Sequence, residues 1–159
     1  MGGDVKIVAK NRRARHDYHV VDTIEAGIAL RGTEVKSVRE AKVQLVDSYA
    51  KIEDGELFLH GVHISPYAQG GRFNVDPVRR RKLLVRKSEI GRLQRQVREK
   101  GMALVPLSFY LKRGLVKVEI GICRGKRMYD KRDAIAKRDA EREMARVEKR
   151  RRRGGGDDR

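Results

Sequence analysis

Hydrophobic and polar positions along the chain mark out a series of short strands from Tyr18 onward. YHVVDTIEAGIAL, beginning at Tyr18, is rich in β-branched residues and contains Gly27, which predicts a strand with a bulge or bend at the glycine. GTEVKSVREAK (32–42) places Val35 and Val38 three apart, the spacing of a short helix packing a narrow stripe. LVDSYAKIEDGELFLHGVHI (45–64) reads as two strands around Glu53-Asp54-Gly55, because Asp-Gly is a strong hairpin signal. QGGRFNVDPVRRRKLLVRK (69–87) begins as a glycine-rich loop and regains strand character at Leu83–Val85. A helix follows, with Ser88 as N-cap, a stripe of Ile90, Leu93 and Val97, and Gly101 just past its end. ALVPLSFYLKRGLVKVEIGI (103–122) gives two more strands around Lys112-Arg113-Gly114. In the second, Val116, Val118, Ile120 and Ile122 alternate with Lys117, Glu119 and Gly121. About six strands with two short helices between them predict a mainly β fold. An OB-like closed antiparallel β-barrel is the economical arrangement, since closure removes exposed strand edges. The expected organisation is a flexible basic arm over 1–16, the barrel over 17–124 and a basic tail over 125–159.

The tail breaks the strand pattern. Between Asp130 and Arg150 the larger apolar residues are Ile135, Met144 and Val147, and strong helix formers dominate. Opposite charges recur at helical spacing: Asp133–Lys137, Asp139–Arg142, Glu143–Arg146 and Glu148–Arg152. Arg138, Arg142, Arg146 and Arg150 form a row at i+4 steps, while Ala136, Ala140, Met144 and Val147 form a thin stripe on another face. Ordering the backbone costs about 1–2 kcal/mol per residue. Burying three mid-sized side chains returns only about 1.5–3 kcal/mol each. The tail is therefore expected to be mostly disordered or frayed when free and helical against a polyanion that neutralises the arginine row. A merely solvated charged helix is the plainer alternative.

Charge points the same way. The 159 residues carry a formal net charge of +17. Residues 124–153 hold 14 basic against 6 acidic side chains, and residues 1–19 hold 5 against 2. A basic surface with basic ends seeks polyanions, and nucleic acid is the default partner. An anionic membrane is disfavoured, because no segment joins a broad apolar face to its basic one. The single Cys123 excludes an internal disulfide and a cysteine zinc site. With neither a signal-peptide pattern nor a run of about 18 apolar residues, a cytoplasmic protein is expected.

Catalytic patterns are missing. There is no Walker loop, no G-x-G-x-x-G after a strand and no nucleophile elbow. His60 and His63 point to opposite faces of a strand, a poor metal pair. Glu25, Glu34 and Glu40 are better read as ion-pair partners of the many cations than as a carboxylate set. Neither a catalytic residue nor a cofactor or metal is expected. Few aromatics (Tyr49, Phe58, Phe73, Phe109 and Tyr110 among them) are available for base stacking, which favours structured RNA read through shape and phosphate. Two basic patches stand out, Lys10–Arg15 and Arg79–Lys87. In the second, Leu83 and Val85 share one strand face and Leu84 lies on the other. There Leu84 is either core of an opposite layer or an apolar wedge for an RNA loop.

NRRARHDY, EAGIALRGTEVKSVREAK, DSYAKI, HISPY, DPVRRRKLLV, VPLSFY and GKRMYDKRDAI occur in that order between Asn11 and about Arg146. Together they resemble the SmpB family, the SsrA-binding proteins of bacterial trans-translation. The absence of catalytic patterns predicts a non-enzyme; the resemblance implies an OB-like barrel that binds the tRNA-like domain of transfer-messenger RNA (tmRNA, SsrA) and delivers it to stalled ribosomes. It also implies a tail that becomes a helix in the empty mRNA channel, and indirect partnership with elongation factor Tu carrying alanyl-tmRNA. Carried over by motif, Asn11, Glu25, Leu84 and Arg86 would lie on the RNA-binding face, with Arg12 and Arg13 beside them. Lys36 and Ser37 belong to the GTEVKS signature. Gly125, Lys126, Tyr129, Asp130, Lys131 and Arg132 would sit at the decoding centre and the channel entrance, followed by Arg138, Arg142 and Arg146. The chain departs from some family members at Arg86, where they carry Asn, and at Tyr129, where they carry His. The alternative reading is a general OB-fold RNA-binding ribosomal or translation factor, which would need the basic barrel but not the tail.

Overall fold

The computed structural model describes residues 5–125, 138, 141–147 and 149. The chain is mainly β with a few helices, and it divides after Gly125 into two units, 1–125 and 126–159. The first unit runs β1 (Val5–Lys10), α1 (Arg12–Asp17), β2 (Tyr18–Ile28), α2 (Gly32–Arg39), β3 (Val43–Gln44), β4 (Tyr49–Glu53) and β5 (Glu56–His60). It continues through β6 (His63–Ile64), a 3-10 turn (Gly71–Phe73), β7 (Arg81–Leu84), α3 (Lys87–Lys100), β8 (Ala103–Lys112) and β9 (Leu115–Gly125). The described pairings are all antiparallel. From β8 they pass to β4, β5, β7, β2 and β9, and β9 pairs again with β8. The opposite edge of β8 is shared, with β4 meeting it at Leu104 and β1 meeting it over Ser108–Lys112.

Two hairpins follow directly from local chemistry. Asp54-Gly55 and Arg113-Gly114 each place two consecutive residues at positive φ (51° and 75°, 52° and 79°), as a two-residue turn matched to strand twist requires. Alternation then sorts the side chains. Leu57 and Leu59 of β5, Leu83 of β7, Phe109 of β8, and Val118, Ile120 and Ile122 of β9 meet in the core, joined by Val38 of α2 and Leu93 of α3. A smaller cluster of Ala14, Val105, Leu107 and Cys123 lies under α1. Burial there pushes the Cys123 thiol up to about 11, so it stays protonated at neutral pH.

One ion cluster lies inside this apolar setting. Arg81 is fully buried and Glu34 is 3% exposed. Arg81 Nε donates to Glu34 Oε2 at 2.6 Å, and its two terminal nitrogens donate to the carbonyls of Val62 (2.6 Å) and Pro77 (2.9 Å). Arg79 also pairs with Glu34, its Nε lying 3.1 Å from Oε1, and the backbone N–H of Arg31 donates to the same oxygen at 2.9 Å. Glu34 thus caps the start of α2 and anchors the start of β7. Burial pushes its carboxyl up, but hydrogen bonds from Arg79, the Arg31 amide and Arg81 outweigh this and hold it below its ordinary 4.5.

Several expectations are corrected. The residues read as a flexible arm contain β1 and α1, because β1 has a hydrogen-bonding edge to join on β8. The sheet uses more than six strands, with seven in the main sheet and a separate β3–β6 pair. Gly27 lies in regular pairing, and the irregularity in β2 falls between Val20 and Asp22. The N-cap of α3 is Arg86 rather than Ser88, since the amides of Glu89 and Ile90 already bond to the Arg86 carbonyl. Of the expected stripe only Leu93 is buried, while Gly101 ends the helix at φ 62° as expected. In the second unit the described residues 138, 141–147 and 149 are helical, and Glu143 pairs with Arg146 at 3.8 Å.

Glu34→Gln leaves Arg81 buried without its counter-charge, so urea unfolding is expected to show a loss of about 3–5 kcal/mol. Because the folded-state carboxyl titrates below the unfolded one, its contribution is complete above about pH 4.5. That contribution is lost as pH falls through the folded value, and the variant's stability therefore declines less steeply in acid than the wild type's.

Candidate nucleic-acid interface

The outward face of β7, β2 and β9 gathers apolar and basic side chains by register. Arg81 and Leu83 point inward, so Lys82 and Leu84 point outward. Gly27 is paired with Leu84 on one side and Lys117 on the other, which sets the three in a row across the strands. Leu84 is 52% exposed, so it is not core. A side chain at position 27 would put its Cβ 3.3 Å from that of Leu84, so the glycine lets Leu84 lie across β2. A groove of about 710 Å³ runs along this face, lined among others by Glu25, Gly27, Leu84, Arg86, Lys87 and Lys117. A second hollow of about 320 Å³ continues from Gly27 and Leu84 to Leu30, Val35 and the exposed Leu115.

The first groove also carries Asp54, Glu56 and Glu89; Glu56 is paired with Lys82 at 3.0 Å, and Glu25 is held from β8. Tyr110 Oη donates to it at 2.5 Å, and Lys112 Nζ lies 3.4 Å away. The Tyr110 hydrogen bond, helped by Lys112, holds the Glu25 carboxyl below its ordinary range against an opposing desolvation. Burial and then Glu25 raise the Tyr110 hydroxyl, which stays protonated. A carboxylate held this way remains an acceptor at neutral pH, suited to base or ribose N–H and O–H donors amid cations that suit phosphate.

The remaining expected residues divide. Asn11 does not face outward: it is 5% exposed, and its side chain is used within the protein. Oδ1 accepts from the Ala14 amide at 3.0 Å, while Nδ2 donates to the carbonyls of Pro106 (2.9 Å) and Leu45 (3.2 Å). It caps α1 and ties it to β8. Ser37 is likewise fully buried, a small residue where α2 meets the core, and its hydroxyl has no hydrogen-bond partner among the described residues. Arg12 and Arg13 are exposed on α1, Arg13 reaching Asp17 at 3.4 Å. Lys36 is exposed, with Nζ 5.3 Å from the Tyr67 ring centroid, outside the Leu84 groove. Glu25, Leu84 and Arg86 are the expected residues that share one groove. Gly27, Lys117 and Tyr110 were missed. The alternation around Lys117 was visible, but its neighbours depend on strand register.

A family model described as SmpB protein matches residues 8–150. The chain belongs to the SmpB family. It is 60% identical over 141 residues to an SsrA-binding protein of Caldicellulosiruptor saccharolyticus, covering 89% of each chain. It is 59% identical over 148 residues to that of Moorella thermoacetica, covering 92% of this chain and 96% of the relative. A chain of a solved structure, "tmRNA-SmpB: a journey to the center of the bacterial ribosome", shares 55% identity with a TM-score of 0.63, covering 74% of this chain and 83% of that one. Of the SmpB-type tail residues, Gly125 ends β9 opposite Tyr18. Lys126, Tyr129, Asp130, Lys131 and Arg132 lie outside the described residues. Arg138, Arg142 and Arg146 are exposed and helical, and the i+4 spacing of Arg142 and Arg146 puts those two on one helix face.

Leu83→Ala and Leu84→Ala separate core from interface. The buried Leu83 is expected to cost about 2–5 kcal/mol in urea unfolding, and the exposed Leu84 no more than about 0.5 kcal/mol.

Proposed function

We propose that this chain is an RNA-binding adaptor for ribosome rescue by trans-translation. It holds the tRNA-like domain of tmRNA on the outer face of β7, β2 and β9. The observation that carries this reading is Leu84, an apolar side chain held out of the core by strand alternation, in a groove with Arg86, Lys87, Lys117 and the ionised Glu25. Family membership and the tmRNA and ribosome named for the solved relative support the same partners.

The scaffold is read as an OB-like closed barrel, a reading supported by the pairings that run from β8 round to β9 and back, with β1 added on the other edge of β8. The chain works by binding rather than by catalysis, in the cytoplasm where ribosomes are. No helix of the described residues is long and apolar enough to cross a membrane. Contact with elongation factor Tu is indirect, through the charged RNA. Gly125, Lys126, Tyr129, Asp130, Lys131 and Arg132 reach the decoding centre. The row of Arg138, Arg142 and Arg146 then follows the empty mRNA channel as a helix against rRNA phosphates. Tyr129 needs only its ring there, for stacking on a base. Arg86 contributes as a phosphate contact.

Binding to the tRNA-like domain of tmRNA, with an ordinary tRNA of equal length as competitor, is expected to favour the tmRNA fragment clearly. Equal binding would mean charge without selectivity and would return the chain to a general RNA-binding factor. Salt dependence separates the roles of the groove residues. Arg86→Ala or Lys117→Ala lowers the slope of log K against log salt by about 0.7–0.9 for each phosphate that is no longer neutralised. Leu84→Ala weakens binding with the slope unchanged. Truncation after Asp130 leaves affinity for the tmRNA fragment nearly intact and abolishes peptide tagging on stalled ribosomes. If affinity and tagging fall together, the tail and the sheet do not have these separate roles.

A further inference from the structure

The segment between β6 and β7 presents a second set of cations and aromatics that the Leu84 groove does not include. Phe73 ends the 3-10 turn Gly71–Phe73 and is 68% exposed, the second most exposed of the large apolar side chains among the described residues. A single exposed apolar side chain on a surface is ordinary. What distinguishes Phe73 is how firmly its backbone is held. Asn74 Oδ1 accepts from the Tyr67 amide at 2.8 Å, and Asn74 Nδ2 donates to the Tyr67 carbonyl at 2.9 Å. Thr33 of α2 donates to the Phe73 carbonyl at 3.3 Å, and the Phe73 amide bonds to the Gly70 carbonyl at 3.0 Å. Gly70 is required for this closeness, since a Cβ there would lie 2.9 Å from both Asn74 Oδ1 and Thr33 Cγ2. Holding the ring's backbone in advance lowers the ordering cost of any ligand that stacks on it.

The electrostatics select the ligand. The Arg72 guanidinium carbon lies 5.1 Å from the Phe73 ring centroid, and Lys36 Nζ lies 5.3 Å from that of Tyr67. Ser65–Val75 contains no acidic residue. The one carboxylate of α2, Glu34, is buried against Arg79 and Arg81. An exposed aromatic flanked by cations, with Asp76 as the nearest acid in sequence and its carboxylate accepting from the Val78 amide, suits a nucleobase with its phosphate, and suits poorly a basic-rimmed protein partner.

We infer that the Tyr67–Asn74 turn is a second RNA-contact site, in which one unpaired base stacks on Phe73 while Arg72 and Lys36 meet its backbone phosphates. The inference rests on the RNA-binding reading above but uses different residues, so the two fail separately. The base belongs either to tmRNA or to ribosomal RNA.

The chain has no tryptophan, so Phe73→Trp places a sole indole at the site. Its fluorescence is read on adding the tRNA-like domain of tmRNA in one arm and ribosomes in the other. Quenching in one arm identifies the source of the base. In that arm Phe73→Ala is expected to weaken binding about 5- to 150-fold, with Trp restoring it. Arg72→Ala lowers the salt slope there by about 0.7 for a single-stranded contact. No quenching in either arm overturns the inference, as does Phe73→Ala binding both partners within about twofold of wild type. Equal melting temperatures establish that the variants are folded, and Leu84→Ala in the tmRNA arm reports independently on the primary groove.

Discussion

The paired charges of Glu34, Arg79 and Arg81 set the frame on which the Leu84 face of the sheet depends. Arg81 points into the core only because Glu34 and two backbone carbonyls satisfy it there. With Arg81 inward, strand alternation sends Lys82 out, Leu83 in and Leu84 out. A slip of one residue would exchange Leu83 and Leu84 between core and surface. The same carboxylate caps α2 through the Arg31 amide, so one buried group fixes the start of a helix and the start of a strand. Its cost in desolvation is offset by hydrogen bonds to nearly every available donor, the condition under which a buried charge is tolerated. It specifies geometry more than it adds stability.

Register does the rest of the assembly. Gly27 lies between Leu84 and Lys117, and its missing side chain leaves the space over which Leu84 extends. Tyr110 and Lys112 reach Glu25 from β8, which does not pair with β2 directly. The groove therefore draws on β7, β2 and β9, with β5 and the start of α3 at its margin, and its Glu25 is fixed from β8. A strand-borne site of this kind holds its cations at defined spacing, whereas charge on a free chain only attracts. The arginine row of the second unit has the simpler chemistry: its i+4 spacing needs only helix to become a continuous basic edge.

The sequence by itself determined what local chemistry controls. Asp54-Gly55 specified its turn because Asp and Gly are among the few residues that accept positive φ, and Gly114 marked the second turn for the same reason. Alternation from Val116 to Ile122 specified a half-buried strand, Gly101 a helix end, and the uneven charge a polyanionic partner. The motif order from Asn11 onward identified the family. What the sequence left undecided needed neighbours distant in the chain. Motif carry-over from the family resemblance places Asn11 on the RNA face, yet its amide is used by Pro106 and Leu45. Ser37 stood in a polar motif and is buried. The first residues looked like a loose arm because β1 has no partner within its own segment and finds one about a hundred residues away. Leu84 could be placed on a face by alternation, but only the three-dimensional pairing of β7 with β2 showed that this face carries no opposing layer. Periodicity fixes which residues share a side; tertiary packing fixes what that side meets, because burial and register depend on segments far apart in the chain.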